Sequence, residues 1–378
     1  MSVRSAAGRQ LITTLLSLKK REMPIARSPE ARRLFAVASG KGGVGKTLFS
    51  AALGVALARA GRKTVLVDAD FGGPNMHQVL RRSDAKVNLS DFISGVEPDL
   101  ERIAHKTDFQ YLRIIPGGSG LANLPYASRI KIFRHLHHID AQDIVLDLGA
   151  GVDRAQFEIL NRSDVGFLVT IPEPLALQNG FHFLRACLLQ SLNSAFYQQP
   201  AILRVLSQAN DRQPQTVRQL TEQVKKSGAD HYLMWKRHLD SFRPVMVLNM
   251  SRREDDVNEG LALQAAIRDM LCISFAEIFH VRFDAQLRPA LLSGRTDLLF
   301  SEHGILMSAV KEIAGALTGG VKTVGRGVRS DSLEPLQRPE EICSVACPLW
   351  GRCRAQNGGY PCRIELVRSI NQLRRSSP

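Results

Sequence analysis

Seven short apolar runs recur along the middle of the chain, at residues 34–38, 64–68, 112–115, 144–148, 165–170, 245–249 and 278–282. None alternates apolar with polar residues. That pattern suits strands buried on both faces, as in a parallel sheet, rather than strands with one wet face. Stretches of helical periodicity separate most of the runs, the first from Thr47 to Ala60. The order predicts an α/β fold, a mostly parallel sheet covered by helices on both faces. No internal repeat interrupts it.

Candidate chemistry gathers where the runs end. After Leu34-Phe35-Ala36-Val37-Ala38 comes Gly40-Lys41-Gly42-Gly43-Val44-Gly45-Lys46-Thr47, then the first helix. Two glycines four residues apart, followed by Lys and Thr, fit the phosphate-loop pattern of P-loop NTPases. Backbone N–H groups must curl round a polyphosphate, and glycine lets them approach. Lys46 would reach the β- and γ-phosphates, and the Thr47 hydroxyl would ligate Mg²⁺. Lys41 is a second lysine at the start of the loop, and it points away from its own phosphates. It fits a dimer in which each protomer reaches the other's nucleotide, as an arginine finger does in trans.

Two more strand ends carry carboxylates. Val65-Leu66-Val67-Asp68-Ala69-Asp70 leads into Phe71-Gly72-Gly73-Pro74-Asn75. Open parallel sheets place ligands at such ends. Asp68 would support the Mg²⁺ shell and Asp70 would position the attacking water. Asp143-Ile144-Val145-Leu146-Asp147-Leu148-Gly149-Ala150-Gly151 is a Walker B arrangement. Asp147 would hold Mg²⁺ through a water, and Gly149 would offer a backbone N–H near the γ-phosphate.

Charge changes the picture at the termini. Of the formal +14, residues 1–33 carry 8 Lys or Arg against 2 Asp or Glu. Residues 319–378 carry 10 against 5, which leaves +3 for everything between. Basic ends suit contact with an anionic surface, lipid or nucleic acid, or serve as solubilising tails. No apolar run reaches the roughly 18 residues of a membrane span, and no signal peptide is read at the N-terminus. With 44% hydrophobic residues the chain can bury a large core. Six cysteines in a nucleotide-binding chain point to a reducing compartment, so a cytoplasmic protein is expected.

The loop GKGGVGKT resembles the deviant Walker A box of the MinD/ParA ATPases, in which a lysine at the position of Lys41 makes the cross-dimer contact. Asp68, Asp70, Gly72 and Asn75 match the family's switch I box. Asp147-Leu148-Gly149-Ala150-Gly151 resembles its switch II, with Leu148 in place of Thr or Ser. Asn249 matches the asparagine that reads adenine, although Met250 replaces the usual following residue. The loop Val281-Arg282-Phe283-Asp284 lacks the family's proline. The DLGAG stretch and Pro172-Glu173-Pro174 through Asn179-Gly180-Phe181 resemble the FlhG-like branch. The resemblance spans about Leu34 to Leu317. It implies ATP-dependent homodimerisation, slow Mg²⁺-dependent hydrolysis and spatial positioning of a large structure such as flagella. A regulatory protein partner and peripheral contact with the inner face of the cell membrane go with it. The expected nucleotide shell is Gly40, Lys41, Gly42, Gly43, Val44, Gly45, Lys46, Thr47, Leu48, Gly149 and Asn249.

Flanking segments complete the expected layout, with the ATPase domain at 34–318. In residues 1–33, Leu11, Ile12, Leu15 and Leu16 share a helical face beside Lys19, Lys20 and Arg21, suiting a membrane, a partner or the domain itself. Residues 319–340 read as a linker. In 341–363, Cys343, Cys347, Cys353 and Cys362 follow a C-x3-C-x5-C-x8-C spacing. A segment too short for an apolar core would take folding energy from metal, Zn²⁺ or an iron–sulfur cluster. In the tail 364–378, Ile364, Val367, Ile370 and Leu373 recur at helical spacing among arginines, like the membrane helix of MinD-like proteins. Cys187 and Cys272 read as core, and His135, His137 and His138 as solvated surface. The alternatives are a ParA-like positioner on non-specific DNA, an iron–sulfur carrier or metal-insertion ATPase, and a regulator that barely hydrolyses. The carrier class usually has a C-x2-C pair, absent here.

Overall fold

A computed structural model describes residues 32–318, save 82–85, 119–120, 122–123, 152 and 208–214. The N-terminal helix pattern, the four-cysteine segment and the basic tail lie outside the described residues.

One eight-stranded sheet organises the fold, in the order β3-β4-β2-β5-β1-β6-β7-β8. Its strands are β1 (Arg33–Ser39), β2 (Thr64–Ala69), β3 (His105–Lys106), β4 (Leu112–Ile115), β5 (Asp143–Ala150), β6 (Val165–Thr170), β7 (Val245–Ser251) and β8 (Glu277–Arg282). Every neighbouring pair is parallel except β3 with β4. All seven apolar runs are strands. The two-residue β3 was not expected, because His105-Lys106 has neither the length nor the apolar character of a strand.

Residues of β1 alternate between two cores. Leu34, Ala36 and Ala38 pack with the helices Arg154–Arg162, Pro174–Ala195 and Asp256–Leu271. Phe35 and Val37 pack with the helices Lys46–Arg59 and Ile305–Thr318. Both faces of the sheet are therefore dry, which is why its strands show no polar alternation. Between β6 and β7 the helices Pro200–Leu206, Val217–Lys226 and Ala229–Ser241 add a helical layer. Trp235 anchors it, stacked on Phe196 and donating from Nε1 to Thr221 Oγ1 at 2.9 Å.

The two ends of the sheet differ in purpose. At the N-terminal end, buried Asp143 accepts from Arg33 Nε at 3.1 Å and Arg62 Nη2 at 2.9 Å, and Arg33 also donates to the Leu317 carbonyl. That knot ties the last helix to β1 and β5. The C-terminal end carries the candidate site residues. Because β1 sits between β5 and β6, the chain winds outward in both directions from it, and the crevice at such a reversal is where open sheets bind ligands.

Candidate nucleotide site

Strand order places the site residues side by side. β2 and β5 are neighbours in register, with Asp68 opposite Asp147, and β1 pairs the other edge of β5 with Val37 opposite Asp147. The loop after β1 therefore rises directly beside both carboxylates.

Backbone conformation shapes that loop. Gly43 and Gly45 stand at φ +79 and +82, the left-handed region that favours glycine. A Cβ on Gly43 would meet no protein atom within 4 Å, so conformation and not packing selects glycine there. Gly40 is selected by packing, since a Cβ would fall 2.4 Å from the Asn179 carbonyl. The helix Lys46–Arg59 starts with no side-chain cap and no acid in its first turn. Its first N–H groups and the positive end of its dipole are left for an anion. Thr47 is half-buried in this turn, and Leu48 packs partly into the core beneath it.

Lys46 is buried and bound to acids. Its Nζ donates to Asp147 Oδ1 at 2.8 Å and lies 3.8 Å from Asp70 Oδ2. Ser50 Oγ donates to the same Asp147 oxygen at 2.9 Å. The other oxygen, Asp147 Oδ2, is buried with no hydrogen-bond partner among the described residues. Asp68 is fully buried, and it accepts from the Met76 N–H at 3.0 Å and the Asp70 N–H at 3.3 Å. Burial, and then the Asp147 charge, push its carboxyl up to about 7.

The two carboxylate loops touch each other. A Cβ on Gly149 would stand 3.2 Å from Asp70 Oδ1 and 2.8 Å from Gln156 Nε2, so both side chains close on this glycine. Arg129 bridges the same loops from outside. Its guanidinium lies over the Phe71 ring at 5.4 Å and pairs with Asp153 Oδ2 at 2.9 Å. Asp153 in turn caps the helix Arg154–Arg162 by accepting from the Ala155 and Gln156 N–H groups. Ser50, Arg129 and Gln156 were missed in the sequence because no motif spacing marks them; only the fold brings them here.

Asn249 reaches the loop itself. Its Nδ2 donates to the Val44 carbonyl at 2.8 Å, leaving one N–H and the amide oxygen for a base edge. Lys41 stands apart from Lys46 and pairs with Glu173 at 3.1 Å on the same chain. Cys187 is buried in the core, and burial raises its thiol; Cys272 is half-buried. His135 is half-buried against the Phe92 ring at 5.2 Å, not simply solvated, while His137 and His138 are exposed.

These residues fit a magnesium–nucleotide pair. Among the described residues no group of three His, Cys, Asp or Glu side chains forms a metal cage. Mg²⁺ does not need one, because it keeps several waters and takes one or two carboxylates plus substrate phosphates. Asp147 Oδ2 gives the unsatisfied oxygen, and Thr47 gives a hydroxyl at the loop.

Comparison with known proteins agrees. The model of the CobQ/CobB/MinD/ParA nucleotide binding domain matches residues 35–298. The flagellum site-determining protein YlxH of Helicobacter pylori is 30% identical over 158 residues, covering 39% of this chain and 51% of that protein. The septum site-determining protein MinD of Escherichia coli K12 is 29% identical over 157 residues, covering 40% and 57%. The match thus spans about half the length of these curated relatives. Among solved structures, a chain of the MinC:MinD cell division protein complex of Aquifex aeolicus aligns with TM-score 0.52 at 18% identity, over 78% of this chain and 98% of that one. MinD of Pyrococcus horikoshii, complexed with Mg-ADP, aligns with TM-score 0.50 at 20% identity, over 76% and 96%. With the phosphate loop, both carboxylate loops and the sheet order in place, the chain belongs to the CobQ/CobB/MinD/ParA nucleotide binding domain family and has its P-loop fold.

Proposed function

We propose that this protein is a site-determining ATPase that binds Mg-ATP, pairs with a second copy of itself, hydrolyses ATP slowly and holds to a membrane surface while paired. One observation carries the reading: Lys46 is held by Asp147 and Asp70 at the mouth of a loop built for phosphate. A buried ammonium balanced by two carboxylates is ready to exchange them for phosphate oxygens. When Lys46 turns to phosphate, Asp147 gives up its ion-pair partner; Oδ1 keeps the Ser50 hydroxyl and Oδ2 would be available to a cation's water shell. A Mg²⁺ ion held here would supply charge neutralisation to the phosphates. Thr47 would offer its hydroxyl to that cation, and Asp68 would support its shell from the neighbouring strand. Asp70, partly exposed beside Gly149, orients the attacking water. The Gly149 N–H responds to the γ-phosphate, so its loop reports the state of the nucleotide. Lys41 leaves Glu173 to reach the partner protomer's phosphates.

Site determination is supported by the likeness to YlxH and MinD, and a second protein partner by the MinC:MinD complex of Aquifex aeolicus. No helix of the described residues is long and apolar enough to cross a membrane. Membrane contact in this reading is peripheral, through the basic ends. Two weak arms on one dimer bind far better than one. Co-sedimentation of Asp70→Ala protein tests this, with anionic phospholipid vesicles and with random-sequence duplex DNA. The expected result is ATP-dependent pelleting with vesicles. Binding to DNA alone would overturn the membrane part and favour a DNA-borne positioner.

A further inference from the structure

Beside the two carboxylate loops stands an amide that phosphate binding does not use. The helix Arg154–Arg162 starts just after the loop Gly149–Gly151, and Gln156 is its third residue. At that position a glutamine commonly reaches back to the N–H before the helix, closing a capping box. The helix Val217–Lys226 shows that arrangement: Gln219 Oε1 accepts from the Thr216 N–H at 2.8 Å. In the helix Arg154–Arg162 the cap is made from one side only. Asp153 accepts from the Ala155 and Gln156 N–H groups, at 2.9 and 3.2 Å, and the Gln156 side chain turns elsewhere.

It turns to Gly149. A Cβ there would meet Gln156 Nε2 at 2.8 Å and Asp70 Oδ1 at 3.2 Å, so amide and carboxylate converge on one point. The other Asp70 oxygen, Oδ2, lies 3.8 Å from Lys46 Nζ. Gln156 Oε1 is buried and has no hydrogen-bond partner among the described residues. A buried amide oxygen left so costs free energy and asks for a reason. One guanidinium fixes both converging groups. Arg129 lies over Phe71, the residue after Asp70, and pairs with Asp153, the cap of the helix that carries Gln156. The Arg129 side chain is only 14% exposed, so water competes little for that pair.

We infer that Gln156 is a positioning residue for ATP hydrolysis, acting on Asp70 and on the water that Asp70 orients. The inference rests on the hydrolysis proposed above and adds a second group to it. Nε2 donates to Asp70 Oδ1 once the loops close on nucleotide, which fixes the rotation of that carboxylate. Oε1 accepts an O–H of the water, which neither Lys46 nor the Gly149 N–H can do, since both are donors. A carboxylate and an amide on one water set its direction better than a carboxylate alone. Phosphoryl transfer asks the protein chiefly for such positioning.

The test is steady-state hydrolysis of Mg-ATP by the full chain, with calorimetric titration of a non-hydrolysable ATP analogue beside it. Gln156→Leu keeps the volume and removes the amide. It is expected to lower kcat about ten- to a hundredfold and to leave KM and analogue affinity unchanged. Gln156→Glu sets a second negative charge against the Asp70 carboxylate, which makes protonation easier. The acid limb of its kcat–pH profile should move to higher pH, a shift that a merely structural residue would not give. Lys46, Asp68 and Asp147 stand near Asp70 in wild type and variant alike, so the added charge alone moves that limb. Analogue affinity falling in parallel with kcat would overturn the inference, making Gln156 a support of the loops. Unchanged kcat in Gln156→Leu would overturn it with hydrolysis intact, and so would an unmoved acid limb in Gln156→Glu. Wild-type protein that binds the analogue and does not hydrolyse ATP would overturn both this inference and the hydrolysis reading beneath it.

Discussion

Lys41 Nζ lies 3.1 Å from Glu173 Oε2, and both belong to one chain. The lysine that would serve a partner's nucleotide is therefore engaged in cis. Close packing of Gly40 on Asn179 keeps the loop and the start of the helix Pro174–Ala195 together, which brings the two charges within reach. The pair is solvent-exposed, so it adds at most about 1 kcal/mol and is easily exchanged. Glu173→Gln removes the competitor without touching the phosphate loop. ATP-dependent self-association, measured by light scattering, should strengthen about two- to fivefold. An unchanged association constant would show that Lys41 does not need release.

Lys46 offers a second test, because its charge has two uses. Lys46→Ala should abolish detectable ATP binding. It also leaves Asp147 buried without a counter-charge, which costs about 3–5 kcal/mol in the nucleotide-free protein. Adding Asp147→Asn removes that stranded charge and should recover most of the stability in chemical denaturation, with no recovery of binding. If the double variant is no more stable than Lys46→Ala, the ion pair is not what holds this end of the sheet.

Asp68 predicts a pH dependence. Its carboxyl sits near 7 in the fold against an ordinary 3.8, so between these values the folded chain binds a proton that the unfolded chain has lost. Stability from this group is therefore fullest below about pH 4 and falls as pH rises towards about 7. Without nucleotide, the melting temperature of the wild type should drop more steeply over that window than that of Asp68→Asn. Parallel curves would remove the account of Asp68 as a strained buried acid.

Gly40→Ala tests the packing of the loop on its neighbour. Its Cβ would fall 2.4 Å from backbone atoms of Asn179, which have no rotamer with which to escape. The loop must shift, at a cost of about 1–3 kcal/mol. ATP and tripolyphosphate affinities should fall together by about tenfold or more. Full retention of both would mean that the loop is held elsewhere.

Much of this was legible in the chain. Central parallel strands are apolar throughout, so 64–68 and 165–170 fall within a residue of β2 and β6. The phosphate loop and both Asp-ended strands announce themselves by spacing. What stayed hidden depends on register and packing. Nothing in the sequence says that Asp68 and Asp147 stand opposite each other, or that Arg129 joins Phe71 to Asp153. Asn249 was read as a base reader, but its grip on Val44 needs β7 placed beside the loop. The substitution at position 250 looked like a departure from the family pattern. In the structure β7 carries one residue more than β8 there, and Met250, at φ +57, sits against Gly45 of the phosphate loop.

Solution mass with hydrolysis blocked tests the central claim most directly. Asp70→Ala protein with saturating ATP and Mg²⁺, followed by multi-angle light scattering, should have the mass of two chains, and of one chain with ADP. Adding Lys41→Ala should return the ATP form to one chain. A single-chain mass for Asp70→Ala with ATP, or a dimer indifferent to loss of Lys41, would contradict the account.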